Sequence, residues 1–353
     1  MADAPPPVAD RRTSADRYDF RRLHPLLRFG TASDRYAGWL GKVYPPDVWA
    51  DQVTSRKKRL GTGSFEERLL PVESVEDYFQ HFSVLELDFT FYRALLEANG
   101  KSSTNLFTLQ RYAELSPQNA RFLLKAPQAF TARLVRQRGD DGPRYEENPA
   151  YLDAQAFTDR FLAPALDTLG PKLAGVLFEQ EYARVREAPP LEAFLVELDQ
   201  FFRDVPDEVP VHLEIRSPHL LLPPYFEWLE SRGLGFAFSY WRWLPPLRDQ
   251  WRLAGERFSS AFNEAVVRLL SPSTMTYDDA LLLAGTFDAP HPALAETPEA
   301  RAMVNDATAL AYQAVAHGVT LNVIASNRAW GCAPDLAQTV AHRFLDFAER
   351  KGA

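Results

Sequence analysis

Short apolar and aromatic runs, each the length of one strand, recur along the chain between longer stretches whose apolar residues fall at helical spacing. Eight such runs stand out: 26–33 (LLRFGTAS), 83–92 (SVLELDFTFY), 122–127 (FLLKAP), 173–180 (LAGVLFEQ), 211–217 (VHLEIRS), 234–239 (LGFAFS), 265–270 (AVVRLL) and 320–326 (TLNVIAS). Helical patterns fall at 74–81, with Ser74 placed to cap, and at 191–202, 225–231 and 302–317. This alternation predicts parallel strands joined by helical crossovers, and eight strands predict an α/β fold, the (β/α)8 TIM barrel, as a single domain with loop insertions. A doubly wound open sheet shares the pattern, but no early Gly-x-Gly-x-x-Gly supports its dinucleotide-binding form. Polar stretches at 51–63, 137–149 and 288–298 read as insertions. Residues 1–22, with three consecutive prolines, read as a flexible tail before a barrel domain at 23–348. No apolar signal-peptide core and no run of about 18 apolar residues is present, so the expectation is a cytoplasmic protein without a membrane span.

Composition narrows the function classes. In 353 residues, 46% hydrophobic and 24% charged, the balance is that of a globular chain and excludes global disorder. The net charge of −8 argues against nucleic acid or a membrane surface as a general partner, leaving a small molecule as the expected one. The single cysteine, Cys332, permits neither an internal disulfide nor a multi-thiolate metal site and sits in no nucleophile motif. Oligomeric state is not legible.

The candidate chemistry lies in charges embedded in apolar strands: Glu86, Lys125, Glu214, Arg216 and Arg268. A buried charge without a partner costs several kcal/mol, so these groups must pair with one another or line a polar cavity. Alternation along 83–92 would also place Glu86, Asp88 and Thr90 on one face. Lys125 reads as a base or Schiff-base nucleophile, or as a cation paired with Glu86 or Glu214. Glu214 reads as a general base, with Arg216 and Arg268 clamping a carboxylate or phosphate. Lys125 and Glu214 are thus the expected catalytic residues, and Glu86, Arg216, Arg268, Asn327, Trp39 and Tyr92 the expected substrate-binding ones. Tyr36, Trp39, Tyr92, Tyr240, Trp241 and Trp243 gather near loop ends, as a stacking platform or as packing on the barrel rim. The seven histidines form no metal set. Magnesium on Glu86, Asp88 or Glu179 stays open, and no organic cofactor is indicated. The basic cluster Ser55-Arg56-Lys57-Lys58-Arg59 reads as a solvated loop, and Gly61-Thr62-Gly63 lacks the ending of a P-loop.

Several of these runs, in this order, resemble the YecE-like family, a domain of unknown function. RFGTASDRYAGWLGKVYPP (28–46) is similar to its opening strand and Trp-containing loop, and LELDFTFYR (85–93) to its next motif. FLLKAPQAFT (122–131) resembles its Lys strand, and LAGVLFEQ, LEIRSP, VVRLLSP and NVIASN resemble its later strands. The resemblance implies a TIM barrel and no particular reaction. It departs at Glu179-Gln180-Glu181-Tyr182, where the family usually has Gln-Leu-Pro-Pro, and at Leu270-Ser271-Pro272, where it usually has His-Gly. The family's usual Asn before Thr-Phe-Tyr is here Phe89, or Asp88 with a one-residue slip. The expectation is an enzyme that binds a small polar anionic metabolite at the C-terminal mouth of the barrel. The alternatives are a metal-dependent phosphodiester hydrolase or a non-catalytic ligand-binding barrel.

Overall fold

Strands that are apolar on both faces must be covered on both faces, which parallel strands wrapped in helices achieve. A computed structural model of the chain describes residues 5–60, 63–139 and 142–351. Its strands β1 (Leu27–Ala32), β2 (Val84–Leu87), β3 (Arg121–Lys125), β4 (Leu173–Gln180), β5 (Val211–Ile215), β6 (Gly235–Tyr240), β7 (Glu264–Leu269) and β8 (Thr320–Ala325) close into one barrel. Each strand pairs in parallel with its sequence neighbours, and β8 closes onto β1 in the register Gly30↔Ile324. The (β/α)8 fold expected from the sequence is the fold observed.

The barrel interior is layered. Val84, Leu123, Leu177, Ala237, Val266 and Ile324 form a buried apolar layer across it. A far larger apolar cluster fills the space between strands and helices. Toward the N-terminal end, His212 is fully buried beside Gly235, where an added Cβ would stand 2.1 Å from the imidazole Nδ1, so only glycine leaves the ring its place. Burial pushes this imidazole down to about 4. Above the apolar layer, at the C-terminal end, the interior turns charged.

Four local expectations need correction. Ser74 makes no cap: its hydroxyl donates to the carbonyl of Pro71 (2.9 Å), one turn ahead of the helix Val75–His81. The run 83–92 does not stay extended, because β2 ends at Leu87 and Phe89–Tyr92 forms a helical turn. Thr90 fastens that turn by donating to the carbonyls of Leu87 (3.1 Å) and Lys125 (2.7 Å), so Glu86, Asp88 and Thr90 do not share a strand face. Where a flexible tail was expected, Val8–Asp16 is a helix packed on the C-terminal helix Ala333–Lys351. Arg12 pairs there with Asp346 (3.0 Å), and the Tyr18 hydroxyl donates to Asp335 (2.7 Å). Only Arg11 and Ala15 of that helix are buried, so tertiary contacts hold it rather than an apolar stripe that sequence periodicity reveals.

Two of the insertions are antiparallel hairpins, Thr54–Leu60 with Gly63–Leu69 after β1 and Leu134–Gly139 with Gly142–Glu147 after β3. The third is irregular apart from the short helix Pro292–Ala295. Gly61 and Thr62, Asp140 and Asp141, and the first four residues of the N-terminal stretch lie outside the described residues. Among the described residues no helix is long and apolar enough to cross a membrane.

Candidate functional site at the barrel mouth

Side chains alternate along a strand, so the residue two beyond an inward apolar one again points inward. Glu86 follows Val84 in this way, Lys125 follows Leu123, Glu179 follows Leu177 and Arg268 follows Val266. Glu214 and Arg216, from the end of β5, complete a charged layer. Arg268 forks onto Glu86, Nε donating to Oε2 (2.8 Å) and Nη2 to Oε1 (2.5 Å), the bidentate geometry that gives strong pairs. Its Nη1 donates to Glu214. Glu214 Oε1 lies 2.9 Å from Arg216 Nε, and Arg216 Nη2 donates to Glu179 Oε2 (2.9 Å). Lys125 Nζ meets that same oxygen at 2.8 Å. Three carboxylates and three cations thus neutralise one another in a single chain of ion pairs. Burial alone would raise the Glu179 carboxyl, but Arg216, Lys125 and Arg268 outweigh it and hold the group well below the usual carboxylate range. Ring faces cover the outermost cations: Phe91 lies 4.0 Å from Lys125 Nζ, and Trp241 lies 4.1 Å from the Arg216 guanidinium.

Beside this layer, over the C-terminal ends of β1, β2 and β8, opens a cleft of about 380 Å³. Active sites of such barrels sit at this end. The first hairpin supplies one wall, where Arg56 pairs with Glu67 (2.8 Å), and Tyr36, Tyr92 and Tyr277 supply aromatic surface. Asp34 stands between two non-glycine residues in the left-handed conformation, Ser33 (φ 66°) and Arg35 (φ 58°). Such backbone costs energy and persists only where its surroundings fix it. Here Thr31 Oγ1 donates to the Ser33 carbonyl (2.7 Å), the Ser33 amide to the Glu86 carbonyl (3.0 Å), and the Tyr44 hydroxyl accepts from the Arg35 amide (3.1 Å). Asp34 Oδ1 accepts from the Tyr112 hydroxyl (2.7 Å), while Oδ2 is buried with no hydrogen-bond partner among the described residues. Burial, opposed by Arg35 and Tyr112, pushes this carboxyl up to about 6, a value suited to moving protons near neutrality.

Arg328 faces the same cleft from the turn after β8. Its guanidinium lies 4.3 Å from the Tyr277 ring and donates to the Tyr277 hydroxyl (3.3 Å), while its Nε is buried with no hydrogen-bond partner among the described residues. Among the described residues no carboxylate pairs with Arg328, in contrast to all three cations of the charged layer.

Of the residues expected from sequence, Glu86, Lys125, Glu214, Arg216 and Arg268 do come together. The partner of Lys125 is Glu179, though, and neither Glu86 nor Glu214. Sequence places Glu179 among possible magnesium ligands and not among the paired strand charges, because it ends an apolar run where polarity is unremarkable. Tyr92 lines the cleft, 76% exposed. Asn327 lines it too, but its Oδ1 accepts from the Trp39 indole (3.1 Å) and the Ala333 amide (2.8 Å). Trp39 itself is fully buried, stacked on Tyr44, and supports Asn327 from behind instead of meeting a ligand. The expected aromatic platform divides: Tyr36 joins the cleft, Trp241 covers Arg216, Trp243 packs on Tyr182 (4.4 Å), and Tyr240 is buried. Cys332 is buried and its thiol is pushed up to about 12, chiefly by that burial. Two of the oxygen donors weighed for magnesium, Glu86 and Glu179, face cations, and no group of three His, Cys, Asp or Glu among the described residues is arranged to hold a metal. Asp34 and Arg328 were missed as site residues. Their only sequence signal is position, one or two residues past the end of a strand run.

A larger hollow of about 620 Å³ lies at the opposite end, between the segments that precede β5 and β6, away from both charged groups. Comparison with known proteins concerns the whole barrel. The family model described as a protein of unknown function, DUF72, matches residues 28–350. A DUF72 family protein from Thermotoga maritima has a similar structure, with 13% identity over 92% of this chain and 99% of that one, at a TM-score of 0.50. Another, from Enterococcus faecalis, shares 12% identity over 91% of this chain and 95% of that one, also at 0.50. At such identities the likeness concerns the fold alone. No curated protein matches the chain.

Proposed function

The chain belongs to the DUF72 family, whose description carries no reaction, so we propose its function from the barrel mouth: an enzyme that moves a proton on a small polar molecule bearing an anionic group. The observation that carries this reading is that Asp34 Oδ2 and Arg328 Nε, both without hydrogen-bond partners among the described residues, belong to residues that line one cleft. A guanidinium with free donors suits a carboxylate or phosphate. Tyr36, Tyr92 and Tyr277 offer ring faces to the rest of the molecule. Tyr112 holds one oxygen of Asp34, leaving the other to accept a proton as base and return it as acid. With a value of about 6, Asp34 is mostly ionised at pH 7 yet readily protonated.

In this reading the charged layer of Lys125, Glu214, Arg216, Arg268, Glu86 and Glu179 is a fixed floor that supports the cleft. Within the family we read the chain as a divergent YecE-like member working in the cytoplasm, its altered runs being Glu179-Gln180-Glu181 and Leu270-Ser271-Pro272. The test is incubation with a panel of phosphorylated sugars, nucleotides and carboxylic acids, followed by NMR for chemical change. A compound altered by the wild type should be bound but altered about 10²–10⁴ times more slowly by Asp34→Asn. Its rate with the wild type should rise with pH through about 6. Recovery of every bound compound unchanged, or undiminished turnover by Asp34→Asn, would contradict it and favour a non-catalytic ligand-binding barrel.

A further inference from the structure

We infer that a second pocket, beside the ends of β4 and β5, binds a neutral single-ring group carrying one hydroxyl or carbonyl. Alternation along β4 aims Glu179 into the barrel and therefore Gln180 away from it. Gln180 faces a pocket of about 140 Å³ that shares no lining residue with the cleft of Asp34 and Arg328. Thr131, at the end of the short helix Gln128–Thr131 after β3, lines the same pocket. Gln180 is 6% exposed and Thr131 1%, and both Gln180 Nε2 and Thr131 Oγ1 are buried with no hydrogen-bond partner among the described residues. Buried polar groups are nearly always hydrogen-bonded, so two orphans on one small cavity mark the polar end of a ligand.

The rest of the lining sets the body of that ligand. Leu134, Tyr151, Phe194, Ile215 and Leu220 make the walls apolar, and an apolar cavity of roughly 150 Å³ accommodates one benzene ring. The cations at the rim are already matched: Arg133 pairs with Glu197 and lies 4.8 Å from the Tyr151 ring, and Arg184 pairs with Glu187, while Glu181 accepts only from the neutral amide of Gln128. An anionic ligand would find no unpaired cation among these rim residues. An oxygen on the ring can accept from the Gln180 amide and exchange a hydrogen bond with the Thr131 hydroxyl, which satisfies both orphans together.

Phenol is the probe, with benzene and benzoate as comparisons, titrated into the full chain and followed by calorimetry and NMR. Phenol should bind at one site, at least about ten times more tightly than benzene or benzoate, since one satisfied hydrogen bond at a buried group is worth about that factor. Thr131→Val, nearly isosteric, and Gln180→Met should each weaken phenol about ten-fold, with unchanged melting temperatures showing that the fold is intact. Arg328→Met should leave phenol binding unaltered, which separates this pocket from the cleft. The inference is overturned if phenol does not bind, as it would not if the two groups bond only water. Equal affinity for benzene, or unweakened phenol binding by both pocket variants, would overturn it as well.

Discussion

Over β2, β3, β4, β5 and β7 the barrel mouth joins three carboxylates and three cations in one set of ion pairs; over β1, β2 and β8 it holds Asp34 and Arg328, each with a buried polar atom that has no hydrogen-bond partner among the described residues. The residue types are alike in the two regions and the consequences differ. In the first, every charge has an opposite charge within 4 Å, although Glu214 Oε1 and Arg216 Nε, 2.9 Å apart, form no hydrogen bond. In the second, a strained turn and a stacked tyrosine hold the groups in place while satisfying them only in part, which is what the proposed binding and proton transfer would use. A charge inside an apolar strand therefore marks burial, while the proposed chemistry rests on where incompletely bonded charged groups meet a cleft.

Breaking the paired region should have the largest effect on stability. Arg268→Met leaves Glu86 and Glu214 facing each other across a buried gap and should lower the unfolding free energy by about 3–5 kcal/mol in urea melts. A loss below about 1 kcal/mol would mean that the layer is loosely coupled or open to water.

The pH dependence of stability isolates Asp34. Its folded value of about 6 lies above the unfolded value near 3.9, so the native state binds the extra proton between these two. The associated stabilisation is fully present below about pH 4 and is lost as pH rises through 6. Asp34→Asn carries no such loss, so its stability relative to the wild type should rise by about 2 kcal/mol between pH 4 and pH 7. A constant difference across that range would show that Asp34 titrates as an ordinary surface carboxyl.

Lys125→Met should cost less than Arg268→Met, about 1–2 kcal/mol, because Glu179 keeps Arg216 and the lysine stands at the outer edge of the layer. A loss as large as that of Arg268→Met would show the outer and inner pairs to be one unit. Arg328→Met breaks no ion pair among the described residues and should change stability by no more than about 0.5 kcal/mol.

The barrel was legible because burial on both faces writes apolar runs that nothing else explains, and strands β1 to β8 all fall within or beside the runs read from sequence. The five strand charges were legible for the same reason, since Lys125 or Arg268 in such a run is conspicuous. Their partners were not, because pairing depends on which residues face each other across the barrel, and β2 meets β7 through Glu86 and Arg268 with most of the chain between them. Asp34 and Arg328 sit in loops whose composition is ordinary; only the left-handed turn and the unmet hydrogen bonds single them out, and neither is written in a local pattern. The helix Val8–Asp16 was hidden likewise, being polar nearly all round and held by its contacts.

The most direct measurement is a thermal-shift screen of the wild type, Arg328→Met and Lys125→Met against phosphorylated sugars, nucleotides and carboxylic acids. A ligand at about 100 times its dissociation constant adds roughly 2.7 kcal/mol of stability, a clear rise in melting temperature. The expected result is a class of anions that stabilises the wild type and Lys125→Met alike and loses its effect on Arg328→Met. Stabilisation that survives in Arg328→Met and vanishes in Lys125→Met would contradict it, moving the site from the cleft of Asp34 and Arg328 to the charged layer.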